Sequence, residues 1–335
     1  MRKICLTLII LILIISQTGC GHKEPISKSD FCLNTICEIR LYDIDKSAAE
    51  KILDDAFDEI RRYESLLSKT IPGSDIDRIN SSKGSKVEVS EATIEVIKQG
   101  IYMGELSEGL FDITIGQLTA LWDFSGENPT VPLSSEIEQL ITHVNYENIK
   151  IEDSFVALTD DKAQLDLGGI AKGYVADRIT ELLESSGVTK AMINLGGNIV
   201  AIGEKAEDMP WSIGIERPYS DRTEIIGAIK VKDETVVTSG IYERMFYQDG
   251  KLYHHVLDSR TGYPAESDLE AVTIRATKGN SGLCDGLSTV CLMLGNERAE
   301  KLIKELQEMY PEKHIEASFI DINNSIIETP GMKIK

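Results

Sequence analysis

The sequence predicts an α+β fold in one large domain. Apolar residues recur at helical spacing in the first half. From residue 150 onward short β-rich runs dominate, grouped instead of alternating strictly with helices. No long linker and no internal repeat divides the 335 residues.

The first segment stands apart. Arg2 and Lys3 form a basic start, residues 4–15 are almost unbroken apolar, and Thr18-Gly19-Cys20 follows. The apolar run is short for a bilayer span, which takes about 20 residues. It fits the core of a signal peptide, and small residues before Cys20 resemble a lipoprotein signal. The expected layout is a signal over 1–19, lipidation at Cys20, a polar tether over 20–30 and a body over 31–335, outside the cytoplasm.

Residues 31–42 alternate and are rich in Ile and Leu, which predicts a strand. Ala49, Ile52, Leu53, Ala56, Phe57, Ile60 and Tyr63 place one apolar stripe on a helix over 47–67, and Pro72-Gly73 breaks it. Ile94, Ile97, Ile101 and Tyr102 mark a second helix ending near Gly109. A loop over 128–132 leads to a polar helical stretch reaching Val144. Segments 156–158 and 163–167 read as a hairpin pair. Val175, Ile179, Leu182 and Leu183 share a helix face that stops at Gly187. Strands follow at 191–202, 211–216, 224–231, 252–257 and 269–276, then helices at 284–294 and 297–309 and a strand at 315–320.

Lys and Arg number 35 and Asp and Glu 55, a net charge of −20. Such a surface repels phosphate backbones, so nucleic acid is not an expected partner. A small polyanion would need a metal or backbone amides to neutralise it locally. Cys32 and Cys37, at odd spacing on one expected strand, point to opposite faces and do not bridge. Cys284 and Cys291 read as buried thiols on a helix. No C-x-x-C pair suggests zinc. Trp122 and Trp211 read as core.

Several short segments carry chemistry. Asp166-Leu167-Gly168-Gly169-Ile170-Ala171-Lys172-Gly173-Tyr174 joins a strand to a helix. Its glycines let backbone approach a ligand, and a helix start offers free N–H groups to phosphate. It is neither a Walker A loop nor a dinucleotide fingerprint, and a plain tight turn fits it equally. In Cys284-Asp285-Gly286-Leu287-Ser288-Thr289, Asp285 and Thr289 are four apart, so a carboxylate and a hydroxyl share one helix face. That pair suits a hard cation such as Mg²⁺, and equally suits capping chemistry. The neighbours His254 and His255 face opposite sides of a strand, so they are no chelating pair. Gly109-Leu110-Phe111-Asp112-Ile113-Thr114 and Thr238-Ser239-Gly240 fit either ligand binding or ordinary turns. Asn194-Leu195-Gly196-Gly197-Asn198 within a strand suggests a bulge or close backbone approach.

In this order, the segments resemble those of the FAD:protein FMN transferase family, the ApbE-type lipoproteins. The likeness runs from about Phe31 to the C-terminal strands. The resemblance implies a single large domain of mixed sheets with flanking helices, related to the T-fold, with two lobes around an FAD cleft. It implies that Asp166 and Lys172 bind FAD and that the carbonyl of Gly169, with Asp285 and Thr289, holds Mg²⁺. Leu33, Ser68, Lys69, Thr70, Asp112, Ser239, His255 and Val256 fall at further flavin-contacting places. Leu33-Asn34-Thr35, Ile71 after Ser68-Lys69-Thr70, and Asp258-Ser259-Arg260-Thr261-Gly262 depart from the usual motifs. The last should keep its turn through Thr261 and Gly262.

The implied reaction splits FAD at its pyrophosphate. A Ser or Thr of an extracytoplasmic acceptor flavoprotein, of electron-transfer or ion-pumping NADH reductase type, takes FMN as a phosphoester and AMP leaves. His255 is the first candidate for general base and Asp285 the second. FAD pyrophosphatase activity with water as acceptor, and non-catalytic FAD binding by a lipoprotein, are the competing readings.

Overall fold

A computed structural model describes residues 24–205, 209–220 and 224–335. The expected signal and Cys20 lie outside the described residues. Eight strands form one antiparallel sheet in the order β1-β2-β6-β7-β10-β13-β14-β15. They are β1 (Ile26–Cys32), β2 (Thr35–Leu41), β6 (Ala191–Leu195), β7 (Asn198–Ile202), β10 (Glu234–Gly240), β13 (Leu269–Thr277), β14 (Glu316–Asp321) and β15 (Ile326–Glu328). A small sheet joins β3 (Val87–Glu88), β5 (Phe155–Leu158) and β4 (Ile149–Glu152). Hairpins β8 (Trp211–Glu216)–β9 (Ile225–Val231) and β11 (Met245–Gln248)–β12 (Lys251–His254) stand apart.

The described helices are α1 (Lys46–Leu67), α2 (Asp75–Ser81), α3 (Glu91–Leu106), α4 (Gly116–Trp122), α5 (Ser134–Ile141), α6 (Ala171–Ser185), α7 (Ser281–Leu294) and α8 (Asn296–Met309). None of them is long and apolar enough to cross a membrane. Alternation along the strands sends Ile39, Ile193, Val200, Val237 and Ile274 into one core with the buried faces of α1, α3, α6, α7 and α8. The opposite face supplies Ala201, Val236 and Ala271 to a second cluster under β8–β9, with Trp211 and Ile229. Trp122 anchors a third cluster with Leu118, Ile137 and Leu257.

The helix for 47–67 and the last two helices form as the periodicity predicts. Residues 31–42 do not form one strand. The chain reverses at Leu33 and Asn34, both at positive φ, so β1 and β2 make a hairpin. β1 therefore begins at Ile26, inside the stretch expected as tether. The reversal places Cys32 and Cys37 on the same sheet face, not opposite faces. Asp30 pairs with Cys37 and Cys32 with Thr35, and the Cys37 thiol lies 3.5 Å from the Cys32 carbonyl oxygen. All four described cysteines are free and buried.

Residues 191–202 split in the same way. Gly196 and Gly197, at φ 64° and 93°, form a two-residue turn, not a bulge within one strand. The partners of 155–158 are β4 and β3, and 163–167 contributes one parallel bridge, between Gln164 and Ile115. Thr238-Ser239-Gly240 ends the central strand β10 instead of forming a turn.

Candidate flavin and cation site

Two helices meet where the chemistry-bearing residues collect. α6 begins directly after the glycine turn: Ile170 N–H and Ala171 N–H both donate to Leu167 O. Two residues into α6, Gly173 N–H donates to Asp285 Oδ2 at 2.8 Å. That contact needs glycine. A β-carbon at position 173 would lie 2.2 Å from Ser281 O and 2.7 Å from Asp285 Cβ. Asp285 is 4% exposed. No Lys, Arg or His among the described residues sits within ion-pair distance of it, although Lys172 acts on it at longer range. Burial raises its pKa, against the opposing effects of Lys172, the Gly173 N–H and Asn198.

One turn on, Thr289 Oγ1 lies 3.2 Å from Ser239 Oγ on β10, and Ser239 Oγ lies 2.7 Å from Ser288 Oγ. The expected i, i+4 pair of Asp285 and Thr289 thus shares the face of α7 turned to α6 and β10. A buried carboxylate with no cation in contact, one helical turn from a hydroxyl, fits a hard divalent cation. Among the described residues no three His, Cys, Asp or Glu side chains gather at one point. A cation here would draw on Asp285, Thr289, main-chain oxygen such as that of Gly169, and its ligand's phosphates.

Asp166 anchors the start of the glycine turn. Its carboxylate accepts from Gly168 N–H at 2.9 Å and Thr119 Oγ1–H at 2.7 Å, and pairs with Lys69 Nζ at 2.9 Å. Burial opposes its ionisation, yet Lys69 and these donors hold its pKa below the ordinary value. Lys69 also reaches Gly116 O and Thr119. Ser68 Oγ and Thr70 Oγ1, 3.1 Å apart, shape the same corner after α1. Lys172 Nζ is 3.4 Å from Gly168 O, on the first turn of α6.

His255 follows β12. Its Nδ1 lies 3.2 Å from Arg244 O. A carbonyl only accepts, so Nδ1 carries the proton and Nε2 presents a lone pair. Burial foremost, then Arg244, His254 and Lys172, push its pKa down to about 3, so the ring is neutral at physiological pH.

The sequence model of the ApbE family matches residues 33–311. This chain belongs to the ApbE family. A Treponema pallidum FAD:protein FMN transferase is 30% identical over 92% of this chain and 92% of its own length. A Klebsiella pneumoniae FAD:protein FMN transferase is 33% identical over 89% of each chain. The solved ApbE protein of Thermotoga maritima superposes with a TM-score of 0.82 at 32% identity, covering 92% of this chain and 97% of that one. The flavin transferase ApbE of Vibrio cholerae gives 0.79 at 26% identity, covering 91% and 96%.

Within this ApbE-family chain the expected residues divide into two groups. Asp166, Gly169, Lys172, Ser239, Asp285 and Thr289 belong to the glycine turn or to the α7–β10 contact that α6 joins. Lys69 joins through Asp166 and Ser68-Thr70 adjoin Lys69. Leu33 sits at the tip of the β1–β2 turn, where its N–H donates to Glu64 Oε1 at 2.7 Å. The β-carbon of residue 196 would strike Thr35, so this turn packs against the Gly196–Gly197 turn. Asp112 is different. Its Oδ1 accepts from Thr114 N–H and Oγ1–H and its Oδ2 from Tyr146 N–H, each at 2.7 Å. Those bonds close a loop and engage both oxygens. Val256 is buried, and its carbonyl accepts from Ala265 N–H. The turn after it is intact: Asp258 O accepts from Thr261 and Gly262 N–H, and Gly262 has φ 76°.

Sequence reasoning missed Asp177, Asn198 and Glu64. Asp177 accepts from Ser281 and Gly282 N–H at 2.9 Å each, capping α7 from α6. Burial raises its pKa to about 6 against those bonds. No sequence signal pointed to it: Asn280 reads as an ordinary N-cap for α7, and only the structure shows that its side chain makes no cap. A groove on the far side of the sheet, lined by Arg40, Tyr42, Trp211 and Lys230, contains none of the expected residues.

Proposed function

We propose that this chain is an Mg²⁺-dependent FAD:protein FMN transferase, lipid-anchored through Cys20 at the extracytoplasmic face of the cell membrane. The transferase activity rests on the curated relatives, alike over about nine-tenths of the chain. The metal reading rests on one observation: a buried carboxylate, Asp285, with no cationic partner in contact, one turn from Thr289 and held against the start of α6. The anchor rests on the basic, apolar and small-residue pattern before Cys20.

A Ser or Thr hydroxyl of an acceptor flavoprotein attacks the FMN phosphorus of FAD. The bond from that phosphorus to the AMP oxygen breaks, FMN remains as a phosphoester and AMP departs. Mg²⁺, when bound, would neutralise phosphate oxygens and the charge that develops on the leaving group. Lys172, on the first turn of α6, brings a cationic ammonium group to the phosphates. His255 Nε2 takes the hydroxyl proton, and Arg244 O fixes the ring in the tautomer that can. Asp166, held by Lys69, Thr119 and Gly168, sets the shape of the glycine turn.

The test is co-expression with a candidate acceptor followed by mass spectrometry of that acceptor. A mass increase equal to FMN, dependent on Mg²⁺ and lost in Asp285→Ala, supports the reading. Free FMN with unmodified acceptor would assign a pyrophosphatase, and FAD binding without AMP release would assign a carrier. Full transfer by Asp285→Ala at micromolar Mg²⁺ would refute the metal site.

A further inference from the structure

The β1–β2 turn holds an unfavourable backbone. Its two central residues, Leu33 and Asn34, have φ of 54° and 58° between the paired Cys32 and Thr35. Two-residue turns of this kind favour Asn-Gly or Gly-Gly, because a bulky side chain resists the left-handed region. Such a conformation persists where its surroundings over-determine it. One group does so here. Leu33 N–H donates to Glu64 Oε1 at 2.7 Å, joining the hairpin to a helix 31 residues on. The carboxylate acceptor makes this a charge-assisted bond. Glu64 is half-buried on α1. The arginines near it are engaged elsewhere: Arg61 with Asp30 and Asp58, Arg62 with Glu59.

Glu64 links the two sides of the candidate site. Beyond the turn, Thr35 packs so closely on Gly196 that a β-carbon there would lie 2.4 Å from Thr35 Oγ1. A β-carbon on the next residue, Gly197, would lie 4.0 Å from Thr238 O. Thr238 adjoins Ser239, whose Oγ lies 3.2 Å from Thr289 Oγ1. The turn is thus in contact, through the Gly196–Gly197 turn, with the strand that carries Ser239. On the other side, Glu64 O accepts from Ser68 N–H at 3.1 Å where α1 ends. Ser68 leads to Lys69 and its 2.9 Å pair with Asp166. The side chain of Glu64 therefore holds the Thr289 side, and its main chain starts the Asp166 side.

We propose that Glu64 is a positioning residue for FAD: its carboxylate holds the β1–β2 turn in the conformation that the site presents to the dinucleotide. This inference rests on the flavin site given under the proposed function. A turn released from Glu64 samples other conformers, and apparent affinity falls in proportion to the time it spends in the right one. Loss of a hydrogen bond to a charged group is enough for a drop of about tenfold.

The experiment is a titration of the full chain with FAD in the presence of Mg²⁺, read by flavin fluorescence. Glu64→Ala is expected to weaken FAD binding by about tenfold. AMP release at saturating FAD should stay at the wild-type rate, because Asp285 and Thr289 are untouched. Glu64→Gln keeps an acceptor oxygen at the same reach and should restore most of the affinity. Hydrogen exchange over residues 32–35 should quicken in Glu64→Ala and slow again on saturation with FAD. Arg61→Ala is the control: it removes another contact between α1 and β1, to Asp30, and should leave FAD affinity unchanged. Glu64→Asp, one methylene short of the turn, serves if Glu64→Ala does not fold. Wild-type FAD affinity in Glu64→Ala, or an equal loss in Arg61→Ala, overturns the inference. A loss as large in Glu64→Gln overturns it too, by giving the effect to the charge instead of the acceptor oxygen. A wild-type chain that binds no FAD removes the proposed function, and this inference with it.

Discussion

Gly173→Ala tests the central contact most directly. Alanine is the better helix former by about 1 kcal/mol, so position 173, inside α6, should gain stability from propensity alone. The packing opposes this. The added carbon would meet Ser281 O at 2.2 Å and Asp285 Cβ at 2.7 Å. A comfortable carbon–oxygen approach is roughly 3.3 Å, so α6 and α7 must part by about 1 Å. Overpacking of this kind costs about 1–3 kcal/mol, and here the obstacle includes main chain, which has no rotamer to escape into. We expect a net loss of up to about 2 kcal/mol, a fall in melting temperature of up to roughly 8 °C. The same shift lengthens the Gly173–Asp285 hydrogen bond, and a misplacement of about 1 Å can cost a hundredfold in rate. Gly168→Ala is the control: it has no positive φ, and its new carbon meets only Asp166 Oδ1, at 3.1 Å. Differential scanning calorimetry and AMP release from FAD would be measured on both. A Gly173→Ala protein that melts at or above wild type and releases AMP at the wild-type rate would refute the reasoning.

Three further outcomes follow from the same geometry. His255→Gln should lower transfer by about 10²–10⁴-fold with FAD affinity retained, measured by single-turnover flavinylation; an unchanged rate would remove His255 as base. His254 and His255 should make the fold less stable in acid. Burial, with Arg244 beside His255, depresses their folded pKa values to about 4 and about 3. The unfolded chain binds protons near pH 6.5, so their contribution is complete above that pH and drains away as pH falls through the folded values. Urea midpoints should drop between pH 7 and 4, and His254→Gln should flatten that slope. Gly169→Ala should keep full Mg²⁺ dependence, because the change leaves the carbonyl in place and meets only the movable ring of Phe111 at 3.0 Å; an activity titration against Mg²⁺ would show it.

Much of the candidate site's layout was legible because its signals are local. Asp285 and Thr289 declare themselves by a four-residue spacing, and the glycine turn by its composition before an amphipathic helix. The errors came where chain reversal hides inside a β-rich run. Leu33-Asn34 lacks the usual turn glycine, and Gly196-Gly197 sits between apolar flanks, so two hairpins read as two long strands. Cys32 and Cys37 then fell on opposite faces in the reading and on one face in the fold. Nothing local shows that Tyr146, 34 residues on, donates its N–H to Asp112.

The sequence by itself determined six of the eight described helices, all but the short Asp75–Ser81 and Gly116–Trp122, as well as which residue types bring oxygen donors and phosphate-binding backbone, and the family to which their order belongs. Tertiary structure alone decided what those donors touch. Gly173 meets Asp285 across 112 residues and Asp177 caps Ser281 across 104. Such contacts depend on how closely two helices approach and on which strand lies beneath them. Local periodicity records which side of a helix is buried, but not the identity of the atom that waits on the other side.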